Sequence, residues 1–202
     1  AVTAGVLLVS AALGALAFRA IYTREHTQVQ ASRWIYTHMP AGTRIGVEAN
    51  TLALPLPLAG HPEPDREYRQ VPLPLLDDQP PADVAALLQS TIGKVDVLVV
   101  DTSQTARTVP RLPWRYPVQI RYYDLLLAGR LGFTPVYTAT SYPTLLGLSI
   151  PDDGPWVDPS FIDSSHPPIH IFQKTRSLSA AEWTALFAAA VQQPTVATRK
   201  AP

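Results

Sequence analysis

The stretch PPADVAALLQSTIGKVDVLVVD, Pro80 to Asp101, decides the fold. Pro80 and Pro81 precede a run from Asp83 to Leu88 that reads as a helix starting at Ala82 and ending near Gly93. Val95 to Asp101 comes next, β-branched and apolar with hardly a break, the pattern of a strand covered on both faces. A helix that leads into a buried strand is half of a βαβ unit. The alternating run RIGVEA, Arg44 to Ala49, supplies the other strand, so the pair is expected to lie parallel with a right-handed crossover. The expected fold class is therefore α/β, a small, mostly parallel, three-layer sheet domain.

Working outward, Thr23 to Met39 reads as a helix capped by Thr23 or Thr27. Val29, Ala31, Trp34, Ile35 and His38 mark a loosely apolar face, and Pro40 with Gly42 ends it. Between Leu52 and Pro81 stand Pro55, Pro57, Pro62, Pro64, Pro72, Pro74, Pro80 and Pro81, which predict an extended, largely irregular loop. Downstream, a helix is expected from about Val118 to Ala128, then strands at Phe133 to Thr140 and Leu145 to Ile150. A second proline-rich, acidic loop spans Pro151 to Asp163, and a short strand, IHIFQK, spans Ile169 to Lys174. Ser179 caps a closing helix, Ala180 to Gln192, with Glu182 in its first turn and Trp183, Leu186, Phe187 and Val191 as its buried stripe. Residues 194–202 read as a flexible tail.

The apolar residues are unevenly spread. Residues 1–18 hold no charge, and the first is Arg19. Through Tyr22, with Arg19 snorkelling, a helix reaches about 33 Å against a hydrocarbon core of about 30 Å. Residues 1–22 are therefore expected to be a transmembrane helix, with Tyr22, Arg24 and Trp34 as interfacial residues. A signal-type segment lacks its charged n-region here, and a core helix would carry a polar stripe where this one has only Thr3, Gly5, Ser10 and Gly14. The chain starts at Ala1, without methionine, which gives the expectation of further spans upstream. Residues 23–193 then form the α/β domain.

Sixteen basic and sixteen acidic residues leave no net charge, which argues against a nucleic-acid binder with a broad cationic face. With no cysteine, disulfide frameworks, thiolate catalysis and sulfur-ligated zinc are excluded. Asp101 closes its strand at the carboxyl end, where open α/β sheets place ligands; it reads either as a ligand or metal carboxylate or as a turn and capping aspartate. The most distinctive segment is VPRLPWRYPVQIRYYDLLLAGRLGF, Val109 to Phe133, in which Arg111, Arg115, Arg121 and Arg130 are interleaved with Trp114, Tyr116, Tyr122 and Tyr123. Arginines flanked by aromatics hold phosphate or a planar sugar face; the alternative is that they cover apolar surface and pair with carboxylates such as Asp124. The candidate binding residues are Arg111, Arg115, Tyr116, Arg121, Tyr122, Tyr123 and Asp101.

Other chemistry is missing. There is no glycine-rich phosphate loop and no nucleophile-elbow pentapeptide. His166 and His170 are four apart, but Pro167 and Pro168 forbid the helix that would pair them, so they read as loop plus strand. Asp152, Asp153, Asp158 and Asp163 fit no calcium-loop spacing and read as solvated charge, as do Asp77 and Asp78. No metal and no cofactor is expected.

Three stretches carry a family resemblance: QASRWIYTHMPAGTRIGVE (Gln30 to Glu48), RLPWRYPVQIRYYDLLLAGRLGF (Arg111 to Phe133) with SYP at Ser141 to Pro143, and HPPIHIFQK (His166 to Lys174). Their order resembles the C-terminal extracytoplasmic domain of bacterial membrane glycosyltransferases related to the dolichyl-phosphate-mannose protein mannosyltransferases, family 39 type. The resemblance implies a polytopic enzyme that moves a sugar from a polyprenyl-phosphate carrier to an acceptor outside the membrane. Its catalytic carboxylates would lie upstream, so no residue here is expected to be catalytic. The chain differs from the family pattern in two turns, ANTLALPLPL (Ala49 to Leu58) and DTSQTAR (Asp101 to Arg107). Arg19, Arg24 and Arg33, offset only by Glu25, would by charge alone keep their flank cytoplasmic; the resemblance places it outside. The implied partners are the membrane, the upstream transmembrane part, and a lipid-phosphate sugar donor or acceptor. The alternative is a single-pass anchored binding or structural subunit that docks through its proline loops; a self-contained hydrolase lacks a visible catalytic constellation.

Overall fold

A mixed five-stranded sheet organises the chain. The structure is a computed structural model that describes residues 2–48, 51–76, 79–152, 154 and 157–193. Asp77, Asp78, Asp153 and the tail from Pro194 lie outside the described residues.

The elements in order are α1 (Val2–Thr23), α2 (Thr27–His38), β1 (Arg44–Glu48), α3 (Pro64–Glu67), β2 (Arg69–Leu73), α4 (Pro81–Gly93), β3 (Val97–Asp101), α5 (Thr105–Thr108), α6 (Pro117–Leu127), β4 (Phe133–Ala139), β5 (Thr144–Leu145), β6 (Leu148–Ser149), α7 (Pro159–Ser165), β7 (Ile169–Lys174) and α8 (Ala180–Val191). The sheet order is β2-β1-β3-β7-β4, with β5 and β6 as a separate hairpin.

The apolar run at β3 is the central strand and, as expected, is covered on both faces. All five of its residues are buried. Leu98 and Val100 enter a core shared with Leu88 of α4, Tyr122 of α6, and Trp183 and Phe187 of α8. Val97 and Val99 enter a second core with Ala31 and Ile35 of α2 and Ile171 of β7. Both faces are covered, so alternation of the backbone never presents a side chain to water. Asp96 fixes the start of the pair: its carboxylate accepts from the Arg44 backbone N–H, from Nε at 2.8 Å and from Nη2 at 2.6 Å. Gly46 of β1 is small for a packing reason, because a Cβ there would meet Leu98 and Val95.

β1 is parallel to both β2 and β3, as expected for the latter. The sheet is nonetheless mixed rather than mostly parallel, since β7 is antiparallel to both β3 and β4. The reason lies in the connection. β4 ends at Ala139, and the chain continues into a two-stranded hairpin and a seven-residue helix, about 10 Å long, rather than a crossover helix. It stays at the edge it has reached, and β7 must start there and run back.

The segment from Leu52 to Pro81 is largely irregular, as expected, but it also contains α3 and the edge strand β2, where Pro72 is tolerated because only one side is paired. Its first half packs on α2, with the Leu56 N–H donating to Ser32 Oγ and the Tyr36 hydroxyl donating to Leu56 O. The strand expected at Leu145 to Ile150 is instead the β5–β6 hairpin, turned at Leu146 and Gly147. The chain also breaks between α1 and α2, where His26 caps α2 by accepting from the Gln28 N–H.

α1 is long and apolar enough to cross a membrane. It is not a core helix: residues 3–13 are exposed, and the buried residues on it are Ala17 and Ile21. Its last turns dock on the domain, where α1 packs against β5 and Phe18 meets Phe161 edge to face at 5.5 Å.

Candidate functional site at the carboxyl edge of the sheet

β1 and β3 are parallel neighbours, and each ends in a carboxylate, Glu48 and Asp101. Ligands of open α/β sheets bind beyond such ends. Glu48 is only 3% exposed. The Tyr123 hydroxyl donates to its Oε1 at 2.7 Å, while Oε2 and the neighbouring Tyr122 hydroxyl are buried without a hydrogen-bond partner among the described residues. Burial pushes the Glu48 carboxyl up to about 8, helped by the charge of Asp101 and opposed by the Tyr123 hydrogen bond. At neutral pH this carboxyl is therefore held mostly protonated.

Asp101 closes a tight polar turn. Its Oδ1 accepts from the Ser103 backbone N–H at 2.9 Å and from Ser103 Oγ at 2.5 Å. Burial raises the Asp101 carboxyl above the usual range; the Ser103 hydrogen bonds oppose that shift and Asp163 reinforces it. Ser103 Oγ also lies 3.2 Å from Asp163 Oδ1, which accepts from Gln104 Nε2 at 2.5 Å. Beside this cluster opens a cavity of about 300 Å³, with Leu76 as an apolar wall and Ser103, Gln104, Thr105, Thr108, Ser160 and Asp163 as polar ones. Hydroxyls, an amide and a carboxylate around a small cleft can orient a polyol by hydrogen bonds. A cavity of about 570 Å³ lies at the opposite edge, between residues 39–43 and 173–177. Lys174 there already donates to the carbonyls of Ile92 and Gly93, and the carboxylate in its lining, Asp96, is paired with Arg44.

α7 ties this edge to the apolar helix. Phe161 packs on Phe18 of α1, and two residues on, Asp163 receives Gln104. Asp158 caps α7 by accepting from the Ser160 N–H, and His166 ends it. His166 is buried, with Nε2 at 3.0 Å from Asp152 Oδ2 and Nδ1 at 2.6 Å from Ser165 Oγ. A serine, histidine and aspartate thus come together, with the Ser165 hydroxyl also within hydrogen-bond distance of Phe161 O. The trio clamps residue 152 onto α7.

The structure separates the arginine and tyrosine candidates. Tyr122 and Tyr123 are core residues, the latter reaching Glu48 and through it the Asp101 neighbourhood. Arg121 faces away and donates from Nε to Leu186 O of α8. Arg115 lies over the ring of Tyr116, 5.3 Å from its centroid, and Tyr116 is buried. Arg111 is exposed and, with Arg107, bears on Asp158 at the start of α7. Arg107, not singled out by the sequence, donates to the carbonyls of Gly154 and Val157.

Glu48, Ser103 and Gln104 were not singled out either. Glu48 ends β1 as Asp101 ends β3, which is the signal that marks it. Asp152 and Asp163 are not solvated charges but hydrogen-bonded partners of His166 and Gln104. His166 follows α7 and His170 sits in β7, the loop-plus-strand arrangement expected. No group of three or more metal-ligating side chains occurs among the described residues.

Compared with protein-family models, with curated proteins and with solved structures, the chain has no match in any of the three.

Proposed function

We propose that this chain is the membrane-anchored, non-catalytic domain of a glycosyltransferase that takes its sugar from a polyprenyl-phosphate carrier, standing on the extracytoplasmic side and capping the cavity or positioning the acceptor. The observation that carries this reading is the bridge formed by α7, with Phe161 on the apolar helix and Asp163 on the polar turn after β3. It puts a hydroxyl-binding cleft next to the helix whose bare surface suits lipid. A lipid-linked sugar presents the same pairing, an apolar tail and a polyhydroxylated head. The glycosyltransferase class itself rests on the resemblance of the three sequence stretches, two of which end at this edge: Gln30 to Glu48 ends on the buried carboxyl, and SYP leads into the hairpin beside α1.

The reading frame upstream of Ala1 tests the proposal directly. Several apolar spans with acidic residues in the first outer loop are expected. A frame that opens immediately before Ala1 would contradict the enzyme and leave the single-pass anchored subunit.

A further inference from the structure

Outside α1, the β5–β6 hairpin carries the most water-averse described surface. Leu146 is 95% exposed, Leu148 75% and Ile150 50%. The turn is built from Leu146 at φ 50° and Gly147 at φ 84°. A two-residue hairpin turn with both φ values positive favours Asn-Gly or Asp-Gly, because a short polar side chain or none tolerates the left-handed region. Here a leucine holds that strained backbone and has no protein packing in return. In water both features are unfavourable; in contact with hydrocarbon the side chain is where it should be.

The hairpin's position says what covers it. Arg24, one residue past α1, donates from Nη1 to Tyr142 O. From there the chain passes through β5, which packs against α1, so the hairpin is rooted on the apolar helix. The polar groups at its base satisfy one another: Thr144 Oγ1 donates to Tyr142 O at 3.0 Å and lies 3.5 Å from Ser149 Oγ. The outward face is left with leucine and isoleucine, on a hairpin whose first strand packs against α1, a helix itself bare at Leu13 and Leu16. Strands of two residues leave backbone groups unpaired at both outer edges, which rules out the dry centre of a bilayer but not its interface, where water still reaches.

We propose that the β5–β6 hairpin inserts its Leu146–Gly147 tip into the bilayer interface beside α1, with lipid covering Leu146, Leu148 and Ile150. This rests on the reading of α1 as a membrane span and adds a second attachment point. A single helix leaves a domain free to swing; a helix and a hairpin fix its tilt and hold the cavity at a set height above the lipid head groups.

The chain has no cysteine, so single labels are simple to place. Leu146→Cys, Leu148→Cys, Leu8→Cys in α1 and Ser90→Cys on α4 would each carry an environment-sensitive fluorophore on the full chain, reconstituted in phosphatidylcholine and phosphatidylglycerol vesicles. Spin-labelled lipids then quench from near the head group or from the acyl end. The labels at 146 and 148 are expected to shift to the blue and lose about half their emission to the head-group quencher. The label at 8 is expected to respond to the acyl-end quencher, and that at 90 to neither. Hairpin labels quenched by aqueous iodide alone, or shielded from both iodide and lipid by protein, overturn the hairpin proposal while a quenched label at 8 leaves the anchor standing. An unquenched label at 8 overturns both.

Discussion

Glu48 makes the stability of the folded chain depend on pH. Its carboxyl moves from 4.5 to about 8 on folding because burial disfavours the charge. Below 4.5 it is protonated in both states and its burial carries no ionisation penalty. As pH rises from 4.5 towards 8 the unfolded chain ionises and the folded one does not, so stability falls by about 1.4 kcal/mol per pH unit. Glu48→Gln keeps an acceptor for Tyr123 and removes the titration; denaturant melts in detergent between pH 5 and 8 should be flatter for the variant, and parallel slopes would refute the assignment. The two tyrosines should differ in sign. Tyr123→Phe strips the buried carboxyl of its donor and should cost about 1–3 kcal/mol, whereas Tyr122→Phe deletes a hydroxyl with no described partner and should be neutral or stabilising. At this scale the sequence was least legible. Adjacent tyrosines on a helix face different surroundings, and Arg121 was indistinguishable from Arg111 until α8 was placed beside it. Asp101 was legible because strand and turn are local; Glu48 became its counterpart only through the pairing of β1 with β3.

Among the elements, those set by local chemistry were read well. Pro81 opens α4, Ser179 and Glu182 form a capping box on α8, and Gly129 ends α6 with Gly129 N–H to Leu126 O and Arg130 N–H to Leu125 O. Elements set by neighbours were not. β2 exists because β1 offers it an edge despite Pro72, and the direction of β7 depends on the missing crossover after β4. Glycines at turns separate the two kinds of constraint. Gly129 has a positive φ and open space where a Cβ would go, while Gly132 has a positive φ and the Arg176 backbone carbonyl in that place. Gly129→Ala should therefore cost about 1–2 kcal/mol, the backbone preference alone. Gly132→Ala should cost more and loosen the start of β4, which thermal melts of the two variants side by side would show.

The whole molecule is an apolar helix docked on an α/β domain at the edge where the sheet's carboxylates collect. Composition made the apolar helix legible, since its first charge comes only at Arg19. That its end would be packed, with Ala17 and Ile21 buried and Phe18 against Phe161, was not, because those contacts join residues more than a hundred positions apart. Phe161→Ala should leave the sheet folded but free the domain from the helix, seen as faster proteolysis of the segment joining α1 and α2 in reconstituted vesicles. An unchanged cleavage rate would mean that β5 alone holds the contact. The role proposed for the cleft beside Asp163 is to hold the sugar end of a lipid-linked substrate or its acceptor. Sugar transfer from a polyprenyl-phosphate donor, measured in membranes carrying the protein at matched expression, tests it most directly. Asp163→Asn and Gln104→Ala should each lower transfer about ten-fold with the domain still folded, a loss equivalent to about 1.4 kcal/mol of transition-state binding. Transfer at the unaltered rate in both variants would contradict the account.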